Sequence, residues 1–133
     1  DDLVIVTAWR HDEPVGAAIY SRLRFGDDPR TAYLLSPLAV VPKSQGSGVG
    51  SLLVTRGLAE LRRRGALAAC TYGDPSFYGR FGFAPALPGV GRAPFPPVRP
   101  EGWLGRWLRN GPTPQPFAHP PRCVDALQDP RYW

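Results

Sequence analysis

Three glycines at alternate positions, Gly46, Gly48 and Gly50, carry the clearest chemistry in this chain. An apolar run, Leu34–Val41, stops at Pro42, and a polar turn, Lys43-Ser44-Gln45, follows. Directly after the glycines begins an apolar helical pattern, Val49, Leu52, Leu53, Leu58 and Leu61. A strand that runs through a glycine turn into a helix presents bare backbone N–H groups at the positive end of the helix dipole. That geometry holds a phosphate or diphosphate without a cationic side chain. A P-loop places Lys and then Ser or Thr after its last glycine, whereas here Gly50 is followed by Ser51 and Leu52, which disfavours Mg-nucleotide chemistry. A dinucleotide fingerprint wants its third glycine where Ser51 stands. The pattern Gln/Arg-x-x-Gly-x-Gly/Ala is matched at every position by Gln45-Gly46-Ser47-Gly48-Val49-Gly50. Taken alone, the motif is also compatible with a helix capped by a glycine turn and binding nothing.

A second constellation is Gly73-Asp74-Pro75-Ser76-Phe77-Tyr78-Gly79-Arg80-Phe81-Gly82-Phe83, which contains Tyr-x-x-x-Gly-Phe. One helix and one strand separate it from the glycine turn. The two stretches, at this separation, resemble motifs A and B of the GNAT superfamily, the N-acetyltransferases that use acetyl-CoA. The longer Gly-Asp-Pro…Tyr-Gly-Arg-Phe-Gly-Phe is closer still to a bacterial branch of that superfamily. The resemblance covers about Val4 to Pro85 well and the remainder loosely.

The resemblance implies an α+β, GNAT-like (acyl-CoA N-acyltransferase) fold: a mixed sheet in which an antiparallel meander is followed by strand–helix–strand. It implies an enzyme, an N-acetyltransferase moving an acetyl group from acetyl-CoA to a primary amine by direct transfer, with no metal. The main chain of Leu38, Ala39 and Val40 would pair with the pantetheine amides as an extra strand does, and one of their N–H groups would face the thioester oxygen. Gln45, Gly46, Ser47, Gly48, Val49, Gly50 and Ser51 would cradle the pyrophosphate. Tyr78 matches the family's general acid, since a phenol of pKa ~10 can give a proton to a departing thiolate within hydrogen-bond reach. The bland readings stand beside these: core packing for the Leu38 and Val40 side chains, and ring packing for Tyr78. Phe77, Phe81 and Phe83 read as core, Asp74 as a helix cap, and Arg80 as a structural ion-pair partner in preference to a cofactor contact. No general base stands out. Glu13, Asp27 and Asp28 lie in turns, Glu60 on the solvent side of the helix, and His11 and His119 are lone surface histidines. Water can take the amine's proton.

The 133 residues suffice for one domain with a modest core. A hydrophobic fraction of 43% argues against general disorder. No apolar run approaches the ~20 residues of a membrane span, and no signal-peptide layout is visible, so the expected place is the cytoplasm. The net charge of +5 is carried almost wholly by arginine, because Lys43 is the one lysine. A basic surface suits an anionic cofactor. Without aromatic and basic interleaving, nucleic acid is disfavoured as a partner. Arg62-Arg63-Arg64 sits where a helix should end, and there cations favour the dipole. Cys70 and Cys123 have no metal or redox spacing and are expected reduced, Cys70 as a small buried hydrophobe.

Strands are predicted over Leu3–Trp9, Val15–Phe25 and Thr31–Val41, the last interrupted by Ser36-Pro37, because proline removes a ladder donor. His11–Pro14 and Gly26–Pro29 read as turns. A helix is predicted from about Gly48 to Arg64 with Gly65 as its stop, then a strand over Ala66–Tyr72 parallel to the third. Asp74-Pro75 reads as the cap and first residue of a short helix carrying Tyr78. Most of the seventeen prolines lie at or after Pro85. Beyond it, strands over Trp103–Leu108 and Val124–Leu127 are expected amid extended loop. Residues 1–86 form the expected acetyl-CoA-binding core and 87–133 a proline-rich extension completing the same domain. Against the family, a first strand and two helices are missing before Leu3, and the absence of methionine fits a processed product or fragment. Those helices help to form the acceptor side. A non-catalytic acyl-CoA-binding module or subunit is therefore the rival reading, and the exposed sheet edge suits a homodimer.

Overall fold

A computed structural model describes residues 2–85 and 90–133. The meander comprises β1 (Leu3–Arg10), β2 (Glu13–Leu23) and β3 (Ala32–Val40). A single turn of 3-10 helix at Pro42–Ser44 leads to α1 (Val49–Arg63), then β4 (Ala68–Tyr72), the one-turn α2 (Pro75–Tyr78), β5 (Ala84–Pro85) and β6 (Trp103–Trp107). The strands form one sheet in the order β1-β2-β3-β4-β6-β5. Only β3 and β4 run parallel, as the α1 crossover requires. The tail strand β6 is inserted between β4 and β5. The expected boundary at residues 86 and 87 lies outside the described residues.

The predicted elements recur with shifted ends. His11 and Asp12, with φ of 49° and 63°, make the β1–β2 turn, so Glu13 belongs to β2 and not to the turn. Two consecutive left-handed residues match the twist of a tight hairpin. The third strand is not interrupted: Ser36-Pro37 stays within β3, and the proline is absorbed by a bulge. The strand expected over Val124–Leu127 is instead a 3-10 turn at Asp125–Leu127, closed by Leu127 N–H to the Val124 carbonyl (2.9 Å). The Leu127 carbonyl accepts from Trp133 Nε1 (3.1 Å), so tertiary partners occupy the group a ladder would need.

α1 covers one face of the sheet. Its buried positions, Val49, Leu53, Val54, Leu58 and Leu61, follow the helical period and meet Tyr20, Tyr33, Leu35 and Ala69. Gly65, at φ 79°, ends it: Gly65 N–H donates to the Arg62 carbonyl and Ala66 N–H to that of Leu61, the paired bonds of a Schellman cap. The tail covers part of the other face, where Val90, Cys123 and Trp133 pack on Phe25, Leu34, Cys70 and Trp103. Both cysteines are free.

Helix and sheet meet closely at Gly57. The buried Tyr20 hydroxyl donates to the Leu53 and Val54 carbonyls (3.3 and 3.2 Å). A Cβ on Gly57 would lie 2.1 Å from that ring. In a solvated helix Gly→Ala gains up to ~1 kcal/mol. Here overpacking costs about 1–3 kcal/mol, and Tyr20 loses its acceptors. Gly57→Ala should therefore lower stability by about 2 kcal/mol in urea denaturation; a stabilised variant would contradict this packing.

Candidate active site

The site begins where β3 and β4 part. Their parallel pairing runs from Ala32↔Ala68 to Leu35↔Thr71 and ends there. The cause lies on the other side of β3. Against β2, Tyr20 pairs with Leu35 but Ala18 with Leu38, so β3 carries one extra residue over Ser36-Pro37, and such a bulge bends its strand. Thr71 Oγ1 donates to the Leu35 carbonyl (2.9 Å), tying the last paired rung. Beyond it β4 turns away, held by Gly73 N–H to the Gly102 carbonyl (3.0 Å).

The fork leaves β3 main chain unpaired on its β4 side. Val41 N–H donates to the Val15 carbonyl (2.9 Å). Antiparallel pairs alternate, so Ala39 also turns its N–H and C=O toward β2, whereas Leu38 and Val40 turn theirs into the fork. Gln45 Nε2 donates to the Val40 carbonyl (3.0 Å), consistent with that orientation.

At the head of the fork is the N-terminus of α1. Gly46 and Gly48 have φ of 73° and 87°, and Gly48 is the N-cap. Nothing lies within 4 Å of a Cβ at either, so backbone conformation, not crowding, demands glycine there. Gly50 differs: its Cβ would point toward Phe77 and Val40, at 3.5 and 3.9 Å. The first α-helical bond of this turn is Leu52 N–H to the Gly48 carbonyl. The N–H groups of Val49, Gly50 and Ser51 therefore have no intrahelical acceptor. No side chain caps this end, and no acidic residue occupies its first turn. A cleft of about 360 Å³ lies between this turn, Leu38 and Val40 of β3, Phe77 of α2, and Arg80.

Of the residues predicted for the site, Leu38, Val40, Gln45, Gly46, Gly48, Gly50 and Ser51 line this cleft. Ser47 braces the turn by a hydroxyl bond to the Ser44 carbonyl. Val49 places its side chain in the core and only its N–H at the helix start.

Tyr78 stands at the same fork. Asp74 caps α2 by accepting from Ser76 N–H (2.8 Å). Pro75 supplies the first residue, so the turn presents Phe77 and Tyr78 to the fork. The Tyr78 ring meets Phe77 edge-on at 4.9 Å and Phe83 at 5.8 Å. Burial raises its pKa, partly offset by hydrogen bonding to Thr71. Its phenol is therefore protonated throughout the neutral range.

Three residues that line the cleft lie outside the predicted set: Ser44, Phe77 and Arg80. Phe77, expected in the core, is part of the wall. Among the described residues Arg80 pairs with no carboxylate: its guanidinium lies over the Phe77 ring at 4.8 Å and the Phe81 ring at 5.5 Å, with Nε donating to the Phe77 carbonyl (3.4 Å). Its i,i+3 spacing from Phe77 was the available signal, since such positions on a helical turn are neighbours. Glu60 and Asp28 are engaged elsewhere. Hydrogen bonds from Arg63 and then Arg64 hold Glu60 at a pKa of about 2, and those from Arg30 hold Asp28 at about 2. Neither is suited to take a proton near neutral pH. Among the described residues no His/Cys/Asp/Glu group is arranged to hold a metal, and no helix is long and apolar enough to cross a membrane.

The pattern of the Acetyltransferase (GNAT) family matches residues 1–83. The uncharacterised N-acetyltransferase YjhQ of Escherichia coli is 35% identical over 116 residues, 84% of this chain and 63% of that protein. Among solved structures, the Escherichia coli GNAT N-acetyltransferase YhbS in complex with CoA superposes with a TM-score of 0.64 at 30% identity, covering 72% of this chain and 53% of that one. A Brucella melitensis GNAT acetyltransferase in complex with acetyl-CoA gives 0.65 at 28% identity, covering 84% and 62%. The chain thus spans less than two thirds of the length of these relatives, and its six-stranded mixed sheet shares their fold.

Gly73 makes room for Tyr78, because a Cβ there would lie 2.6 Å from the ring. Gly73→Ala should push the ring outward and bring its ionisation back toward the usual ~10. Alkaline difference spectra, with Tyr78→Phe to assign the transition, read this. The raised pKa contributes stability that is present below ~10 and lost as pH rises further. An unmoved transition in Gly73→Ala would contradict the packing.

Proposed function

The chain belongs to the GNAT acetyltransferase family, and from that premise we propose that it is an acetyl-CoA-dependent N-acetyltransferase, moving the acetyl group directly to a primary amine. The observation that carries the reading is the cleft joining an uncapped helix N-terminus to a strand fork with a protonated tyrosine beside it.

The residues suit coenzyme A. Its diphosphate lies on the turn from Gln45 to Ser51, where the N–H groups of Val49, Gly50 and Ser51 are unspent and Gly50 adds no Cβ to the floor. Arg80 adds the one formal positive charge of the lining. The pantetheine arm follows the open side of β3, paired to Leu38 and Val40. Ala39 is committed to β2, so it supports the strand and does not touch the ligand. Bound acetyl-CoA supplies an activated thioester. An N–H of Leu38 or Val40 stabilises the charge developing on the thioester oxygen. As the amine nitrogen bonds to the carbonyl carbon, the C–S bond breaks and Tyr78 gives its proton to the sulfur. Water takes the surplus proton of the amine and restores that of the phenol. Residues 1–86 hold the cofactor, and 87–133 complete the same domain by supplying β6 to its sheet. We place the protein in the cytoplasm, where its two free thiols persist.

Tyr78→Phe should lower kcat at least tenfold while leaving the Kd for CoA within about twofold, since general acid catalysis is worth 10²–10⁴. Thiol release and calorimetry check the two quantities. Unchanged turnover removes Tyr78 as the acid, and binding without thiol release from any amine favours an acyl-CoA-binding module. Gly48→Val forces a β-branched residue into the left-handed region, so it should weaken CoA binding at least tenfold. Unaltered affinity would contradict the cradle.

A further inference from the structure

A second cavity lies at the end of β2 away from the fork. β2 leaves β3 at Leu23↔Ala32, whereas the cleft is level with Ala17↔Ala39. From Ala32 to Ala39 is seven residues of strand, roughly 23 Å at about 3.3 Å per residue. Just past Leu23 the tail lies alongside β2. Arg24 N–H donates to the Arg122 carbonyl (3.0 Å), and Arg122 N–H donates to that of Arg24 (2.8 Å). The two arginines form an isolated antiparallel bridge and so stand directly opposite each other. Arg22, two residues before Arg24, shares its face by the strand period. Arg22, Arg24 and Arg122 line a cavity of about 390 Å³ together with Asp2 and Asp125.

Like charges directly opposite across a strand pair destabilise it, so this face repels itself unless anions are interposed. The two carboxylates at hand do not suffice. Asp2 accepts from Arg24 (2.7 Å). Asp125 stands 3.6 Å from Arg122 and is 95% exposed, so that pair contributes little. Among the described residues Arg22 has no carboxylate partner, and its Nε is shut off from solvent without a hydrogen bond. A buried donor left unmet is costly and uncommon in a folded chain. We propose that this cavity is a phosphate site, distinct from the coenzyme A cleft, and that it takes the phosphate of a small monoester. The charge count selects the class. With Arg24 spent on Asp2, the guanidiniums of Arg22 and Arg122 remain. Two positive charges match a phosphomonoester, which carries about −1.5 to −2 at neutral pH, whereas a carboxylate needs one. The geometry agrees. Nε and one Nη of a guanidinium form a planar fork that meets two phosphate oxygens in parallel. A turn of the Arg22 head that presents this edge gives its Nε the acceptor it lacks. The volume is more than ten times a water's share of liquid, about 30 Å³, and leaves room for a short carbon body beyond the phosphate.

Calorimetry with glycerol 3-phosphate, inorganic phosphate and propionate tests the site. Glycerol 3-phosphate should bind saturably with a Kd below about 1 mM, inorganic phosphate at least threefold more weakly and propionate at least tenfold more weakly. Excess CoA should leave the Kd for glycerol 3-phosphate within twofold, which sets the site apart from the cleft. Arg22→Gln and Arg122→Gln should each weaken binding at least tenfold. Arg56→Gln, on the exposed side of α1, should leave it within twofold, so that net charge is not the cause. Asp125→Asn releases Arg122 and should tighten binding about threefold; its carboxylate is open to water, so this arm holds even where an arginine variant fails to fold. Absence of saturable binding overturns the proposal. So do Arg22→Gln and Arg122→Gln proteins that bind as the parent does, an equal loss in Arg56→Gln, an unchanged or weaker Kd in Asp125→Asn, propionate bound as tightly as the ester, or displacement of the ester by CoA. Inorganic phosphate bound as tightly as glycerol 3-phosphate overturns the assignment to a monoester.

Discussion

Everything at this site follows from the parting of β3 and β4 beyond the Leu35↔Thr71 rung. A parallel pair that continued would consume the main-chain groups of Leu38 and Val40 and close the sheet. The extra residue over Ser36-Pro37 bends β3 away, and Pro37 has no N–H to offer in the ladder. The separated strands create two things at once. One is an edge on which an extended ligand can pair, and the other is the cleft between that edge and the start of α1.

The remaining elements hold that fork open and furnish it. α1 is pressed onto the meander through Gly57 and Tyr20, so its N-terminus is fixed relative to β3. The turn before it is braced by Ser47 on Ser44 and Gln45 on Val40. β4 is restrained on its far side by β6 and by the Gly73–Gly102 bond. The tail, irregular along most of its length, contributes a strand to the sheet and a layer of aromatic packing on the face opposite α1. Loss of main-chain pairing at the fork is thus offset by burial on both faces.

Local chemistry was legible in the sequence, and long-range placement was not. The turn from Gln45 to Ser51 could be read because φ above zero at Gly46 and Gly48 leaves a residue-type signature. Asp74-Pro75 announced α2 in the same way, through a cap and a first residue with distinct physical preferences. Trp103–Leu108 was recognisable as a strand, but the insertion of β6 between β4 and β5 depends on partners far away in sequence. The Asp125–Leu127 turn was misread as a strand because Val124, Ala126 and Leu127 are apolar, while the bonds that bend it come from within the turn and from Trp133. Arg80 reads as a structural ion-pair partner in preference to a cofactor contact, yet the two rings beside it draw it to the cleft. Nothing local joined Leu34, Tyr72 and Trp133, which meet only because the tail folds back over the fork.

The main claim is that backbone amides at the start of α1 hold the diphosphate of coenzyme A. Amide NMR on the ¹⁵N-labelled chain tests it most directly, comparing CoA with pantetheine, which lacks the diphosphate. CoA should shift the resonances of Gly46 and of Gly48 through Ser51 most strongly, and pantetheine should leave those amides in place while moving Leu38 and Val40. Saturable CoA binding that leaves the amides from Gly46 to Ser51 undisturbed would contradict the account.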